Sequence, residues 1–343
     1  MPLNFWQKLQ KTGRPILALA PMAGFTTSAF RQICKKYGAD VLYSEMASAT
    51  ALYYNQPVGK SRIGKPGRQG KVGPKNQTDR CEGNATLKLL KFNRRREKYY
   101  IVQLFGSDPE HFAVATRIIA ERVKPDGIDI NFGCPVPKIC KQGAGCGLMK
   151  NLEKSRAVIE AVLKNTVLPV SLKIRVQAGE VDALKFLKNI ADLPVAAVMI
   201  HGRTLSQGFV GAPDFRIIKK ARRYFKGVIL ANGGINSLTD ARQALKKSGA
   251  DGLGLARGIL GRPWLFKEIK SGKIVDLKPK QIFKIALTHA ALEQTLAGKT
   301  GIIELRKHLV WYMQGLPGAA KLREKLVRVN SLGEIKKILS III

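Results

Sequence analysis

The sequence predicts an α/β protein: a (β/α)8 TIM barrel followed by a small all-helical C-terminal domain. Three observations carry this. Short apolar, β-branched runs recur eight times, helical stretches with recognisable caps lie between most of them, and from about Pro279 the pattern is helical only.

The runs are 16–20 (ILALA), 41–44 (VLYS), 100–104 (YIVQL), 127–130 (GIDI), 170–174 (VSLKI), 197–200 (AVMI), 228–231 (VILA) and 252–255 (GLGL). Asp108-Pro109-Glu110, Asn151-Leu152-Glu153 and Asn236-Ser237 open helices between them, because a short side-chain oxygen accepts the unpaired N–H groups of a first turn. In such a barrel the C-terminal strand ends meet in one mouth. Pro21-Met22-Ala23, Glu45, Gln103, Asn131 to Pro135, Lys173 to Arg175, His201 to Arg203, Asn232 to Gly234 and Ala256-Arg257 are therefore expected together. The barrel is expected over 1–278, interrupted at 57–98 by a loop rich in Gly, Pro, Lys and Arg (GKSRIGKPGRQGKVGPK, then NRRREK). Helices over 281–296, 301–314 and 318–329 make the second domain, 279–343.

At 343 residues and 45% apolar content the chain can bury a full core. Its net charge of +35 is extreme for an enzyme of small metabolites and points to a polyanionic partner, nucleic acid first. A general bias toward Lys is the alternative. Met1 to Gln10 has no apolar core or small-residue cleavage site, and the apolar tail 338–343 is too short to span a bilayer, so no membrane association is expected. Five cysteines, mostly bunched near one loop, do not make a disulfide framework, and a cytoplasmic protein with reduced thiols is expected. Cys134, Cys140 and Cys146 include no CxxC pair, so no metal site is expected.

Asn232-Gly233-Gly234 after the seventh run and Ala256-Arg257-Gly258 after the eighth occupy the loops that commonly cradle phosphate in TIM barrels. Glycines let backbone N–H groups approach the anion and the guanidinium adds charge; simple tight turns are the alternative. Lys173 ends the fifth run, suited either to countering charge on a bound anionic ring or to Schiff-base chemistry. Cys134, between Gly133 and Pro135 after the fourth run, is a candidate nucleophile or proton donor. His201 and Arg203 suit hydrogen bonding to an anion or a planar imide. Gln103 would bond a ring edge or cap a loop.

Together these strings resemble the tRNA-dihydrouridine synthase family. The residues that carry the resemblance are APMAGFT (20–26), SEM (44–46), VQLFGSDP (102–109), DINFGCP (129–135), GAG (143–145), LKIR (172–175), IHGRT (200–204), ANGGI (231–235), ARG with GRPW (256–264) and RKHLVWY (306–312). They run through nearly the whole chain from Pro15, except the basic stretch at 59–85. DINFGCP with IHGRT is the most specific pair.

The resemblance implies reduction of the C5–C6 bond of a uridine in tRNA, with tightly bound FMN recharged by NADPH or NADH, in a monomeric enzyme. It implies that Pro21, Met22 and Ala23 pack against the flavin, and that Gln103 and Lys173 meet its pyrimidine part. His201, Asn232, Gly233, Gly234, Ala256 and Arg257 would hold the ribityl phosphate side. Asn131, Arg175 and Arg203 would contact the uracil or a nearby phosphate, and Cys134 would protonate C5 of the base. The helical domain would grip tRNA through its phosphates. An FMN barrel acting on a small metabolite, like a dihydroorotate dehydrogenase, is the rival reading; it leaves the charge and the helical tail without a purpose.

Overall fold

A computed structural model of the protein describes residues 3–55 and 85–340. Its strands are β1 (Ile16–Leu19), β2 (Val41–Ser48), β3 (Tyr100–Phe105), β4 (Gly127–Asn131), β5 (Val170–Ala178), β6 (Val181–Asp182), β7 (Ala197–Thr204), β8 (Val228–Asn232) and β9 (Gly252–Leu255). Among the described residues they form one sheet in the order β4-β3-β2-β1-β9-β8-β7-β5-β6. β6 is a two-residue antiparallel addition to β5. The others pair in parallel, and β4 pairs with β5 to close the barrel. All eight expected runs are barrel strands, and only the short β6 goes beyond them.

Period-two alternation decides which side chains face inward. Leu17, Leu42, Val102, Ile128, Ile130, Leu172, Val198 and Leu253 pack outward against the helices. Ile16, Ala18, Val41, Tyr43, Ile101, Ala197, Met199, Val228 and Leu230 fill the interior, together with Phe5 and Trp6 of the first helix (Phe5–Gln10). The inward parity continues up each strand to Gln103, Asp129, Asn131, Ser171, Lys173, His201 and Asn232. The mouth is therefore polar for the same geometric reason that the floor is apolar.

The expected caps are present. Asp108 accepts from the backbone N–H of Glu110 at 2.8 Å and of His111 at 3.2 Å, Asn151 from Lys154 at 2.9 Å, and Ser237 from Asp240 at 3.0 Å.

The helices expected over 281–296 and 301–314 form one element, Pro279–Tyr312, broken at Gly298, whose φ of 60° and ψ of −139° are not helical. Ala319–Leu326 follows, and Leu332–Ser340 adds a helix that the sequence pattern had not resolved. Their core of Phe283, Ile302, Leu305, Leu309 and Leu326 takes in Ile33 and Trp264 from the barrel side. Glu293 accepts from the Thr27 hydroxyl, and Phe30 lies against His289 and His308 at ring distances of 5.5 and 4.5 Å. The helical region thus leans on the start of the helix Ser28–Lys36. Among the described residues no helix is long and apolar enough to cross a membrane.

Of the basic insertion expected over 57–98, residues 57–84 lie outside those described. The remainder includes the short helix Ala85–Leu89 and a buried Glu97. Glu97 pairs with Arg31, both side chains at 0% exposure, while Arg31 also donates to the carbonyls of Thr26 (2.7 Å) and Lys91 (2.8 Å). Removing one partner of a buried pair leaves an uncompensated charge. Glu97→Ala is therefore expected to lower unfolding stability by about 3–5 kcal/mol, read as a lower denaturant midpoint; an unchanged midpoint would refute the assignment.

Candidate active site

The polar upper layer opens into a cavity of about 850 Å³. Pro21, Met22, Ala23, Gln103, Asn131, Cys134, Lys173, Arg175, His201, Arg203, Asn232, Gly233, Gly234, Ala256 and Arg257 all line it. Glu45 does not: its carboxylate sits behind the 21–26 loop, where it accepts the Gly24 N–H.

One side of the cavity is built for an anion. Gly233 has φ +107°, and a Cβ on it would lie 2.5 Å from His201 Cδ2 and 3.4 Å from an Arg203 guanidinium nitrogen. Arg203 donates to the Gly211 carbonyl at 2.7 Å and contacts His201 Nε2 at 3.4 Å. Because guanidinium only donates, Nε2 accepts and the imidazole proton sits on Nδ1. Burial, with Lys173, Arg175, Arg203 and Arg257 around it, pushes His201 down to about 2, so it stays neutral. Arg257 is exposed, with its guanidinium 4.6 Å from the Phe209 ring centre.

Lys173, half-buried, donates to Asn232 Oδ1 at 3.5 Å, and Asn232 in turn donates to the Gly254 carbonyl at 2.7 Å. Burial and the neighbouring Arg175 lower its ammonium from the usual range to about 8. Arg175 is only 1% exposed. Its guanidinium donates to the carbonyls of Gly133 (2.9 Å), Thr204 (2.9 Å) and Gly208 (2.8 Å), so it ties the loops after β4 and β7 together.

The opposite side carries Cys134. Its N–H donates to Asn131 Oδ1 at 2.9 Å, and its carbonyl accepts from the Cys146 N–H at 3.1 Å and from Cys140 Sγ at 3.4 Å. Gly145, φ +57°, makes this packing possible: a Cβ there would fall 2.8 Å from that of Cys134. Burial raises the Cys134 thiol above its ordinary value, opposed by Lys173 and Arg175. The side chain is therefore a protonated thiol near neutral pH, the form of an acid and not of a thiolate nucleophile. Among the described residues no group of three or more ligating side chains is arranged to hold a metal ion.

Sequence reasoning passed over several wall residues. Phe209 comes from the loop after β7, and Trp264, Trp311, Tyr312 and Gln314 come from after the barrel strands. GRPW had hinted at Trp264 and RKHLVWY at Trp311 and Tyr312. Asp129, beneath Gln103, is fully buried; an inward carboxyl between Ile128 and Ile130 was the available signal.

Comparison with known proteins agrees with this architecture. The family model described as "Dihydrouridine synthase (Dus)" matches residues 18–342. The chain is 31% identical over 325 residues to a probable tRNA-dihydrouridine synthase of Aquifex aeolicus, covering 93% of each. It is 32% identical over 322 residues to tRNA-dihydrouridine synthase B of Pseudomonas syringae pv. tomato, covering 92% of this chain and 87% of that one. Among solved structures, 6-hydroxypseudooxynicotine amine oxidase from Pseudomonas geniculata N1 superposes with a TM-score of 0.52 at 11% identity. That match covers 76% of this chain and 47% of the larger protein, and the likeness is one of fold alone. Matched by that family model over residues 18–342, nearly its whole length, the chain belongs to the dihydrouridine synthase family.

Proposed function

We propose that the chain makes dihydrouridine in tRNA, reducing the C5–C6 bond of a uridine with FMN as the resident cofactor and NADPH or NADH as reductant. The observation that carries this reading is one cavity holding both a protonated Cys134 thiol and a glycine-floored cradle of cations. The cradle fits a phosphate-bearing flavin: Gly233 carries no side chain where its backbone meets His201, and the guanidiniums of Arg203 and Arg257 beside that histidine are donors for an anion. Asn232, Gly233, Gly234, Ala256, Arg257 and His201 would hold the phosphate side, with Arg203 joining them. Pro21, Met22, Ala23, Gln103 and Lys173 would meet the ring.

When bound, the flavin supplies hydride to C6 of the base. The protein's part is to hold the base and deliver the proton. Cys134 keeps its proton at neutral pH and presents Sγ as the acid for C5. Asn131 fixes that loop by accepting the backbone N–H groups of Gly133 at 3.0 Å and Cys134 at 2.9 Å, and would contact the base edge. Arg175 secures the surrounding carbonyls. A uridine must leave its stack to enter so deep a mouth. The tRNA body would lie on the helical domain from Pro279, where Lys284, Lys325, Arg328, Lys336 and Lys337 are exposed.

Nucleoside mass spectrometry tests this directly. Dihydrouridine is expected to rise in unmodified tRNA incubated with enzyme, FMN and NADPH; NADPH consumption indifferent to tRNA, with no dihydrouridine formed, would overturn it.

The pH profile gives a second check. Lys173 is cationic below about pH 8 and loses its proton above it. Its positive charge would oppose the charge gained on reduction of the ring, so tRNA reduction is expected to fall as pH rises through that value. Lys173→Met should start from a lower rate and lack that limb.

A further inference from the structure

Beneath the site lies a carboxyl that the reaction above does not use. We propose that Asp129 is a positioning residue: it orients the Gln103 amide and, through Gln103 and Asn131, the loop that presents Cys134. The proposal deepens the functional reading above and rests on it for the meaning of Cys134.

The geometry is a directional chain of hydrogen bonds. Asp129, at 0% exposure, accepts from Ser171 Oγ at 2.6 Å and from Gln103 Nε2 at 2.7 Å. With its nitrogen committed downward, Gln103 turns its oxygen to Asn131, whose Nδ2 donates to it at 2.9 Å. Asn131 then has its oxygen free for the N–H groups of Gly133 and Cys134. Backbone N–H groups only donate, so the chain closes without conflict in this one sense. A Gln103 turned end for end would set N–H against N–H at Asn131 and break the cap on the Cys134 loop. All three members are nearly or fully buried, at 0%, 1% and 7% exposure, where an unsatisfied amide is costly.

The device needs an acceptor oxygen at Asp129 and not its charge. Burial raises this carboxyl to about 7. When protonated it can donate to Ser171 Oγ, which accepts as readily as it donates, and still offer a bare oxygen to Gln103.

Three substitutions separate the possible roles. Asp129→Asn keeps an oxygen toward Gln103 and gives its amide hydrogens to Ser171, so orientation survives without charge. Asp129→Leu keeps similar volume but removes the acceptor. The readout is the alkylation rate of Cys134 by iodoacetamide, followed by peptide mass spectrometry, which needs neither tRNA nor turnover. Flavin content and kcat for tRNA reduction are measured alongside. Asp129→Asn is expected to alkylate within about twofold of the parent. Asp129→Leu, with the two-bond cap loosened, is expected to alkylate about five- to thirtyfold faster. It should also lose kcat while KM for tRNA holds. If Leu does not fold, Asp129→Val, suited to a strand, replaces it. Parental alkylation in the Leu or Val variant would overturn the proposal, and so would an Asn variant as disturbed as Leu, since charge would then be the cause. Failure of the functional reading shows separately, as parental tRNA without dihydrouridine.

Discussion

Cys134→Ala is expected to bind FMN and accept electrons from NADPH at the parental rate while reducing tRNA roughly 10²–10⁴-fold more slowly, the usual cost of a lost general acid. The expectation follows from the side chain's state and setting together. Burial raises the thiol further above neutrality, two backbone N–H groups donating to Asn131 Oδ1 fix its loop, and Cys140 and Cys146 hold its carbonyl. None of these bonds involves the cation cradle, so the two half-reactions should separate cleanly. Single-turnover mixing of reduced enzyme with tRNA reads the second half alone. A parental rate there would demote Cys134 to a packing residue.

The second large effect is expected at Gly233. Alanine there must adopt a φ of +107° that side-chain-bearing residues rarely hold, and its Cβ would meet His201 Cδ2 at 2.5 Å and Nε2 at 2.8 Å. Strain and overpacking each cost about 1–3 kcal/mol. If the loop relieves them by moving away from His201 and Arg203, the anion cradle opens and flavin affinity should fall about tenfold to a thousandfold or more. Gel filtration of Gly233→Ala is expected to yield a colourless, folded protein, with colour restored only at high added FMN. A variant that keeps its flavin through filtration would show that the phosphate lies elsewhere. Gly208, with φ +55° and nothing within 4 Å of an added Cβ, serves as a control for backbone strain without a clash.

Strand-by-strand legibility has a simple source. The inward–outward alternation of Gly127 to Asn131 is written in the residue types, and so are the caps at Asp108, Asn151 and Ser237. Barrel topology then brings the strand ends together, so a list of strand ends is already a list of mouth residues. The break in the long C-terminal helix fell on a glycine, which the pattern had read as a gap between two helices. The last helix opens on Ser331, whose hydroxyl accepts the Glu334 N–H at 3.2 Å, so its start was legible as an S-x-x-E capping pattern.

Side-chain partners were another matter. Arg175 could be placed at the mouth from its strand position, but only the tertiary structure shows it spent on three carbonyls from two loops. Arg203 follows the same rule: its position came from β7, while its companionship with Gly233 depends on the neighbouring strand end.

The sequence by itself determined the barrel, the mouth and the thiol-bearing loop, because these rest on local periodicity, turn chemistry and a closed topology that leaves strand ends one place to meet. Tertiary structure alone decided the direction in which Cys134, Lys173 and His201 are shifted from their ordinary titration, the direction of the amide chain above Asp129, and the aromatic wall lent by Trp311 and Tyr312. Those depend on desolvation and on partners distant in sequence, which no local pattern encodes.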